Sequence, residues 1–397
     1  MSNHIAVVGL GYVGLPLAIS AFKSEFNVIG IDSNIERIES IKRGFSPVED
    51  ISSSEIKKAN ESGFFFVTSE FNEISKCQTV VICVPTPLTE VGEPDLAHIE
   101  HAIASISRHI EEKVLIIIES TIATGTTRNK IQRLIESKSG LNADDFYLAY
   151  SPERIDPSNK SWNIGNTPKL VSGITDASKK LAVSFYKKIG METVECDSVE
   201  IAETAKLLEN SFRLINISFI NELSIFCNKI NIDINKVISA AATKPYGFMP
   251  FYPSVGVGGH CIPIDPLYLA HAAEIARAPS RIIELAYKIN QEMPDHIIKR
   301  AEEKISGLSG KKILVIGVAY KSNVSDVRET SVESLITGLR KKGAIVFWHD
   351  ELVKEWNGEK STPLGSGFDL AILATPHDNV NILGLGETPI LNTRSSI

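Results

Sequence analysis

The sequence predicts an α/β protein, and three observations predict it. Two well-separated stretches each read as strand, turn, helix, strand, and between them runs one uninterrupted helical pattern at 198–230. Together they imply two Rossmann-like parallel-sheet domains joined by a long central helix and a helical dimerisation region.

The first stretch opens with IAVVG (5–9), a β-branched apolar run that reads as a strand buried on both faces. GLGYVG follows, placing Gly9, Gly11 and Gly14 in G-x-G-x-x-G spacing. LPLAISAFK reads as a helix, and NVIGID as a second strand ending in Asp32, 18 residues after Gly14. With strand, helix, second strand and acid all in register, this is a dinucleotide-binding unit. The glycines make the tight turn, the close approach to pyrophosphate and the close helix–strand packing, and the helix N-terminus offers its amides to the phosphates. Asp32 would hold the adenosine ribose hydroxyls and repel a 2′-phosphate, favouring NAD; Arg37 lies near enough to touch the adenosine side. Further strands read at TVVICVPTP (79–87), VLIIIEST (114–121) and FYLAYSPE (146–153). Thr121 and Glu153 then fall at the carboxyl edge, where such sheets bind ligands. Thr121 also reads as the N-cap of a helix beginning in TIATGTTRNK.

The helix at 198–230 carries Glu203, Lys206, Asn210 and Arg213 within an arc of about 80°. Its other faces are apolar, which predicts burial between domains or between subunits, and hence a homodimer. The polar stripe would then face a cleft. A Pro-, Gly- and aromatic-rich loop follows, TKPYGFMPFYPSVGVGGHCIPIDP. Phe251 and Tyr252 could stack on a flat base. Gly256, Gly258 and Gly259 let backbone approach a ligand. Cys261 could be a nucleophile and Asp265 could orient a water or an amine. The bland alternatives are a small buried thiol and a His260 that only packs.

The last stretch, 310–350, repeats strand, helix and strand, ending in Asp350. The glycine spacing is missing, and the inserted loop YKSNVSDVRET carries Lys321 and Arg328, cations suited to phosphate or to surface ion pairs. DLAILATPH (369–377) reads as a further parallel strand.

Composition sets bounds. The 397 residues are 43% hydrophobic and 22% charged, with net charge -7, which excludes a basic nucleic-acid footprint. Five cysteines, widely spaced and without a C-x-x-C pair, argue against a disulfide framework and a structural zinc site. No metal is expected. The strand pattern begins too early to leave room for a signal peptide, and no apolar run reaches the roughly 18 residues of a membrane span. A cytoplasmic location, with no membrane partner, is expected.

The motifs GLGYVGLPLA, ESTIATGTT, SPER, ETAKLLENSFR, GVGGHCIPIDP and GVAYKSNVSDVRETS together resemble the nucleotide-sugar 6-dehydrogenases of the UDP-glucose/GDP-mannose dehydrogenase superfamily, over nearly the whole chain. The resemblance implies an NAD domain at 1–195, a central helical dimerisation domain at 196–300 and a nucleotide-sugar domain at 301–397. It implies oxidation of the sugar C6 alcohol to a carboxylate with two NAD, through a thiohemiacetal and then a thioester on Cys261. By the same resemblance Lys206 stabilises oxyanions, Asn210 binds the sugar or oxyanion, Asp265 and Thr121 position water or a proton path, and Glu153 assists hydrolysis. The cofactor would meet Gly9, Gly11, Tyr12, Val13, Gly14, Asp32, Arg37, Pro85, Thr86 and Thr121. The UDP-sugar would meet Glu153, Arg154, Lys206, Asn210, Arg213, Phe251, Tyr252, Gly256, Gly258, Gly259, Lys321 and Arg328.

CVPTPLTEVGEPDL, SPERIDPSN and AATKPYGFMPFYP look most like the UDP-N-acetylhexosamine branch, UDP-N-acetylglucosamine above all. Ile264 stands where the UDP-glucose branch carries a lysine. The product would feed a surface polysaccharide. UDP-N-acetylmannosamine or UDP-glucose oxidation, a single-step β-hydroxyacid dehydrogenase and a non-catalytic binding protein are the competing readings. The segment after Asp350 looks short for the family.

Overall fold

The computed structural model describes residues 3–48, 50–155, 161–162 and 165–395. The chain divides into two compact units between Leu208 and Glu209.

The first unit contains β1 (His4–Val8), α1 (Gly14–Lys23), β2 (Asn27–Ile31), α2 (Ile35–Lys42), α3 (Ser53–Glu61), β3 (Phe65–Thr68), β4 (Thr79–Ile82), α4 (Ala97–Ile106), β5 (Leu115–Ile118), α5 (Gln132–Ser139), β6 (Tyr147–Tyr150), β7 (Lys169–Gly173), α6 (Asp176–Lys188) and β8 (Thr193–Glu195). They form one eight-stranded sheet in the order β3-β2-β1-β4-β5-β6-β7-β8. Strands pair in parallel except β6 with β7, where Tyr150 faces Ser172 and Ala149 faces Gly173 in antiparallel register. The apolar runs are continuous because both faces are covered. Ile5 and Val7 of β1 enter one core and Ala6 and Val8 the other. The strands read at 79–87, 114–121 and 146–153 end earlier, at Ile82, Ile118 and Tyr150, so their polar tails are edge loops.

The 31-residue helix α7 (Val199–Lys229) contains the division between the units. The second unit continues with α8 (Ile234–Ala241), α9 (Asp265–Ile275), α10 (Arg281–Lys304), β9 (Lys312–Ile316), α11 (Ser331–Lys341), β10 (Ile345–His349), the hairpin β11 (Glu355–Trp356) and β12 (Glu359–Lys360), β13 (Leu370–Leu373) and β14 (Ile390–Asn392). Its parallel sheet runs β10-β9-β13-β14. Ile313 and Val315 point into one core and Leu314 and Ile316 into the other, the same two-sided burial as in the first sheet.

Candidate active site

The turn after β1 is built as its glycines require. The Gly9 N–H donates to the Ile31 carbonyl at 2.7 Å, and the Leu10 N–H donates to Asp32 Oδ2 at 2.7 Å. A Cβ on Gly14 would lie 1.8 Å from the Gly9 carbonyl oxygen, so this helix start tolerates no side chain. A Cβ on Gly11 would meet nothing within 4 Å. The protein leaves that space open, where a turn of this kind brings its backbone close to a pyrophosphate. Val13 caps α1 with no side-chain hydrogen bond, and no acid stands in the first turn, so anion binding meets no competing carboxylate from the helix itself. Tyr12 is partly exposed beside them. Asp32 is buried and also accepts from Asn34 N and Arg37 Nη1, at 2.8 and 2.9 Å. Arg37 therefore pairs with the carboxylate that would hold the ribose. These residues fit NAD.

At the carboxyl edge, the Ser120 hydroxyl donates to the Val84 carbonyl at 2.7 Å and ties the 119–125 loop to CVPTP, where Pro85 is exposed and Thr86 buried. Thr121 caps no helix. The helical turn begins at Thr126 and runs through a short π-helical stretch, Thr127–Ile131, into α5. Its amides are taken instead by Glu203 of α7: Gly125 N donates to Oε2 at 2.5 Å, and Thr127 N and Oγ1 donate to Oε1 at 2.9 and 2.6 Å. Glu203 is fully buried, so it belongs to a helix cap and not to a polar stripe. Sequence alone gave no sign of a partner some 76 residues away.

Burial pushes the Glu203 carboxyl up to about 7, against its three hydrogen bonds. The folded state then keeps this proton to higher pH than the unfolded chain, and stability falls as pH rises from about 4.5 to about 7. Glu203→Gln removes that titration. Its stability relative to the parent is expected to climb across this window by up to about 3 kcal/mol, read by melts on either side of it. A difference that does not change with pH would contradict this assignment.

Glu153 lies just past β6 and is mostly buried. Its Oε1 accepts from the backbone N–H groups of Arg154 and Ile155 at 2.7 and 2.8 Å, and its Oε2 from Lys169 Nζ at 3.0 Å. Burial works to raise this carboxyl, but Lys169 and the two amides bring it below its ordinary value. Arg154 donates from Nη1 to the Pro168 carbonyl at 2.6 Å. Lys169 and its further partners Glu119 and Tyr186 were not singled out in the sequence; no local spacing marks them.

The remaining members of the predicted stripe have different surroundings. Lys206 is buried and belongs to the first unit; Asn210 and the exposed Arg213 belong to the second. Asn210 Nδ2 donates to Asp265 Oδ2 at 2.6 Å.

Cys261 is exposed, and its carbonyl accepts from Ile264 N and Asp265 N at 3.2 and 2.8 Å, so it stands where α9 starts. Asp265, buried, is the first residue of that helix, with Pro266 next, whose missing N–H costs nothing there. Burial and then Arg328 push the His260 imidazole down, so it is neutral near pH 7. Two buried asparagines position the loop. Asn290 of α10 accepts from Val257 N at 2.6 Å and donates to Val257 O at 3.0 Å; Asn221 of α7 accepts from Ser254 N at 2.9 Å. The glycines of GVGGHC answer first to the protein itself. A Cβ on Gly258 would lie 2.5 Å from the Glu329 carbonyl, on Gly259 2.8 Å from the Tyr320 ring, and on Gly256 2.7 Å from Ser331 Oγ. The cysteine loop is thereby pressed against the 320–331 loop that carries Lys321 and Arg328. Arg328 itself makes an exposed two-pronged pair with Asp326. Phe251 packs edge-on against Phe212, ring centroids 5.9 Å apart, while Tyr252 stays exposed.

The turn after β9 copies the one after β1. Gly317 N donates to the His349 carbonyl at 2.8 Å and Val318 N to Asp350 Oδ2 at 2.9 Å. Here the acid is closed in. Asp350 Oδ1 meets His377 Nε2 at 2.8 Å and two further amides, which outweigh burial and hold its carboxyl at about 2. His377 Nδ1 accepts from Asn323 N at 2.8 Å and so fixes the 320–331 loop.

Family models match in three consecutive stretches: the NAD binding domain over residues 3–190, the central domain over 200–292 and the UDP binding domain over 314–390. The chain belongs to the UDP-glucose/GDP-mannose dehydrogenase family. A UDP-N-acetyl-D-glucosamine 6-dehydrogenase of Pseudomonas aeruginosa is 35% identical over 393 residues, 96% of this chain and 92% of its own. A UDP-N-acetyl-D-mannosamine dehydrogenase of Pyrococcus horikoshii is 32% identical over 395 residues, 97% of this chain and 93% of its own. A solved UDP-D-ManNAc dehydrogenase from that organism superposes with a TM-score of 0.90 at 30% identity, covering 99% of this chain and 96% of that one. This UDP-sugar dehydrogenase is an NAD-dependent oxidoreductase. Among its described residues, no cluster of His, Cys, Asp or Glu is placed to hold a metal, and no helix is long and apolar enough to cross a membrane.

Proposed function

We propose that this dehydrogenase oxidises the C6 hydroxyl of a UDP-N-acetylhexosamine, UDP-N-acetylglucosamine foremost, to the uronic acid, using Cys261 as covalent nucleophile. The observation that carries the reading is the exposed thiol at the start of α9, four residues before a buried carboxylate held by Asn210. NAD, when bound, accepts a hydride from C6 in each oxidation. Lys206 and Asn210 balance negative charge on the C6 oxygen. Thr121 and Asp265 guide water and protons. Cys261 sulfur adds to the aldehyde carbon as a thiohemiacetal, which the second oxidation leaves as a thioester. Water then bonds that carbon, the C–S bond breaks, and the sulfur regains its proton; Glu153 assists this step. Lys321, Arg328, Tyr252 and the 256–259 backbone hold the UDP.

The sugar assignment rests on the CVPTPLTEVGEPDL and AATKPYGFMPFYP stretches, on Ile264, and on nearly full-length relatives named for both N-acetylhexosamines. In SPERIDPSN, residues 156–159 lie outside the described residues. We expect kcat/KM for UDP-N-acetylglucosamine to exceed that for UDP-N-acetylmannosamine and UDP-glucose by at least about tenfold, since one misplaced polar group in a pocket outweighs about 1.4 kcal/mol. Equal or higher values for either competitor would reassign the substrate.

The working form is a homodimer on this reading. Phe212, Phe219 and Phe226 recur on one face of α7 and are 46%, 58% and 57% exposed, an apolar stripe that a second copy would cover. Five free cysteines support a reducing compartment, so on this reading the enzyme works in the cytoplasm, upstream of surface polysaccharide assembly.

A further inference from the structure

Inside the first unit, Glu153 belongs to an ionic chain whose other members the proposed steps do not use. Lys169 Nζ sits 3.0 Å from Glu119 Oε2 and 3.0 Å from Glu153 Oε2, with the lysine and Glu119 side chains 6% and 0% exposed. Tyr186 OH donates to Glu119 Oε1 at 2.5 Å, and the Lys169 ammonium lies 5.3 Å from the centre of the Tyr186 ring.

Topology explains how these groups meet. Glu119 immediately follows β5 and Glu153 follows β6, both at the carboxyl edge of the sheet. Lys169 is the first residue of β7, which in a parallel sheet would fall at the opposite edge. Because β7 runs antiparallel to β6, its beginning is brought to the edge where the acids end. Three charges buried together are not expected as packing, since an apolar trio would fill the same space at lower desolvation cost. Their retention at a ligand-binding edge asks for a use.

We propose that Lys169, seated by Glu119 and Tyr186, is the positioning residue that fixes how Glu153 presents its carboxylate to the hydrolytic water. This rests on the reading of Glu153 as the group that assists thioester hydrolysis. The two backbone amides hold Oε1, and Lys169 holds Oε2, so the carboxylate has no rotational freedom left. Glu119 keeps Lys169 from swinging over completely to Glu153. The other titratable groups coupled to this trio are Cys83, just past β4, and Tyr186 of α6, and the neighbouring Arg154 donates to the Pro168 carbonyl. Burial raises the Glu119 carboxyl, while at Glu153 Lys169 and the two backbone amides outweigh burial and bring the carboxyl below its ordinary value.

The test is the pH profile of kcat, with the amount of acyl-enzyme at steady state, for Glu119→Gln, Lys169→Gln, the double variant and Glu153→Gln. Lys169→Gln strands two buried acids and can fail to fold; the double variant removes both charges together and keeps the experiment decisive. Without Lys169 the acid limb of kcat is expected to move up by about one pH unit or more, acyl-enzyme to accumulate, and KM for the UDP-sugar to stay put. Glu119→Gln leaves Glu153 as the carboxylate paired with Lys169, and its acid limb should move down. A limb that stays in place in the double variant and in Glu119→Gln, while Glu153→Gln collapses turnover, overturns the positioning role alone. Full turnover in Glu153→Gln overturns the reading of Glu153 on which it stands.

Discussion

Cys261→Ser is expected to lower kcat by at least about a thousandfold and to leave NAD affinity unchanged. Serine keeps the shape of the side chain and the turn that starts α9, because that turn is made by the Cys261 carbonyl and not by its sulfur. What is lost is the sulfur nucleophile and an acyl bond reactive enough to hydrolyse. The nucleotide turn with Gly9, Gly11 and Asp32 belongs to the other compact unit, so cofactor titration serves as an internal control. Stopped-flow rates of NADH formation alongside a fluorescence titration of NAD separate the two effects. Undiminished turnover would remove the covalent step from the account.

Gly14→Ala is expected to damage the fold itself. The new Cβ would stand 1.8 Å from the Gly9 carbonyl oxygen, 3.0 Å from its carbon and 3.2 Å from Cys83 Cβ. Two of these are backbone atoms of the turn that also donates to Ile31 and Asp32, so relief requires opening the turn. Overpacking of this kind costs about 3 kcal/mol or more, a fall in Tm of roughly 6–12 °C for a unit of this size. Gly11→Ala provides the contrast. Its Cβ meets no protein atom, so Tm should hold while NAD affinity falls at least about tenfold. Equal thermal losses in both variants would mean that the space at Gly11 is not kept for the cofactor.

Local pattern made much of this molecule readable. β1, α1, β2 and Asp32 appear where the apolar run, glycine spacing and terminal acid place them, because strand periodicity and turn chemistry are short-range properties. The same holds for α7 and for β9, α11 and β10. What escaped depends on long-range neighbours. The antiparallel junction at β7 cannot be seen in KLVSG, and with it went Lys169 and its link from Glu153 to Glu119. Glu203 has helical spacing to Lys206, which suggested a shared face, yet its carboxylate caps a helix start near Thr127. Thr121 has the right residue type for a cap but stands several residues too early. The glycines around Cys261 looked like room for a ligand, and the Tyr320 loop occupies the space beside them. Asp350 resembles Asp32 in strand position, but only His377, 27 residues on, shows that it is closed to a ribose.

The central claim is a four-electron oxidation through one cysteine, and NADH formed per UDP-sugar consumed tests it most directly. Run to completion with limiting UDP-N-acetylglucosamine, the reaction is expected to yield two NADH per sugar, with the uronic acid as product. One NADH per sugar, with free aldehyde in solution, would contradict it.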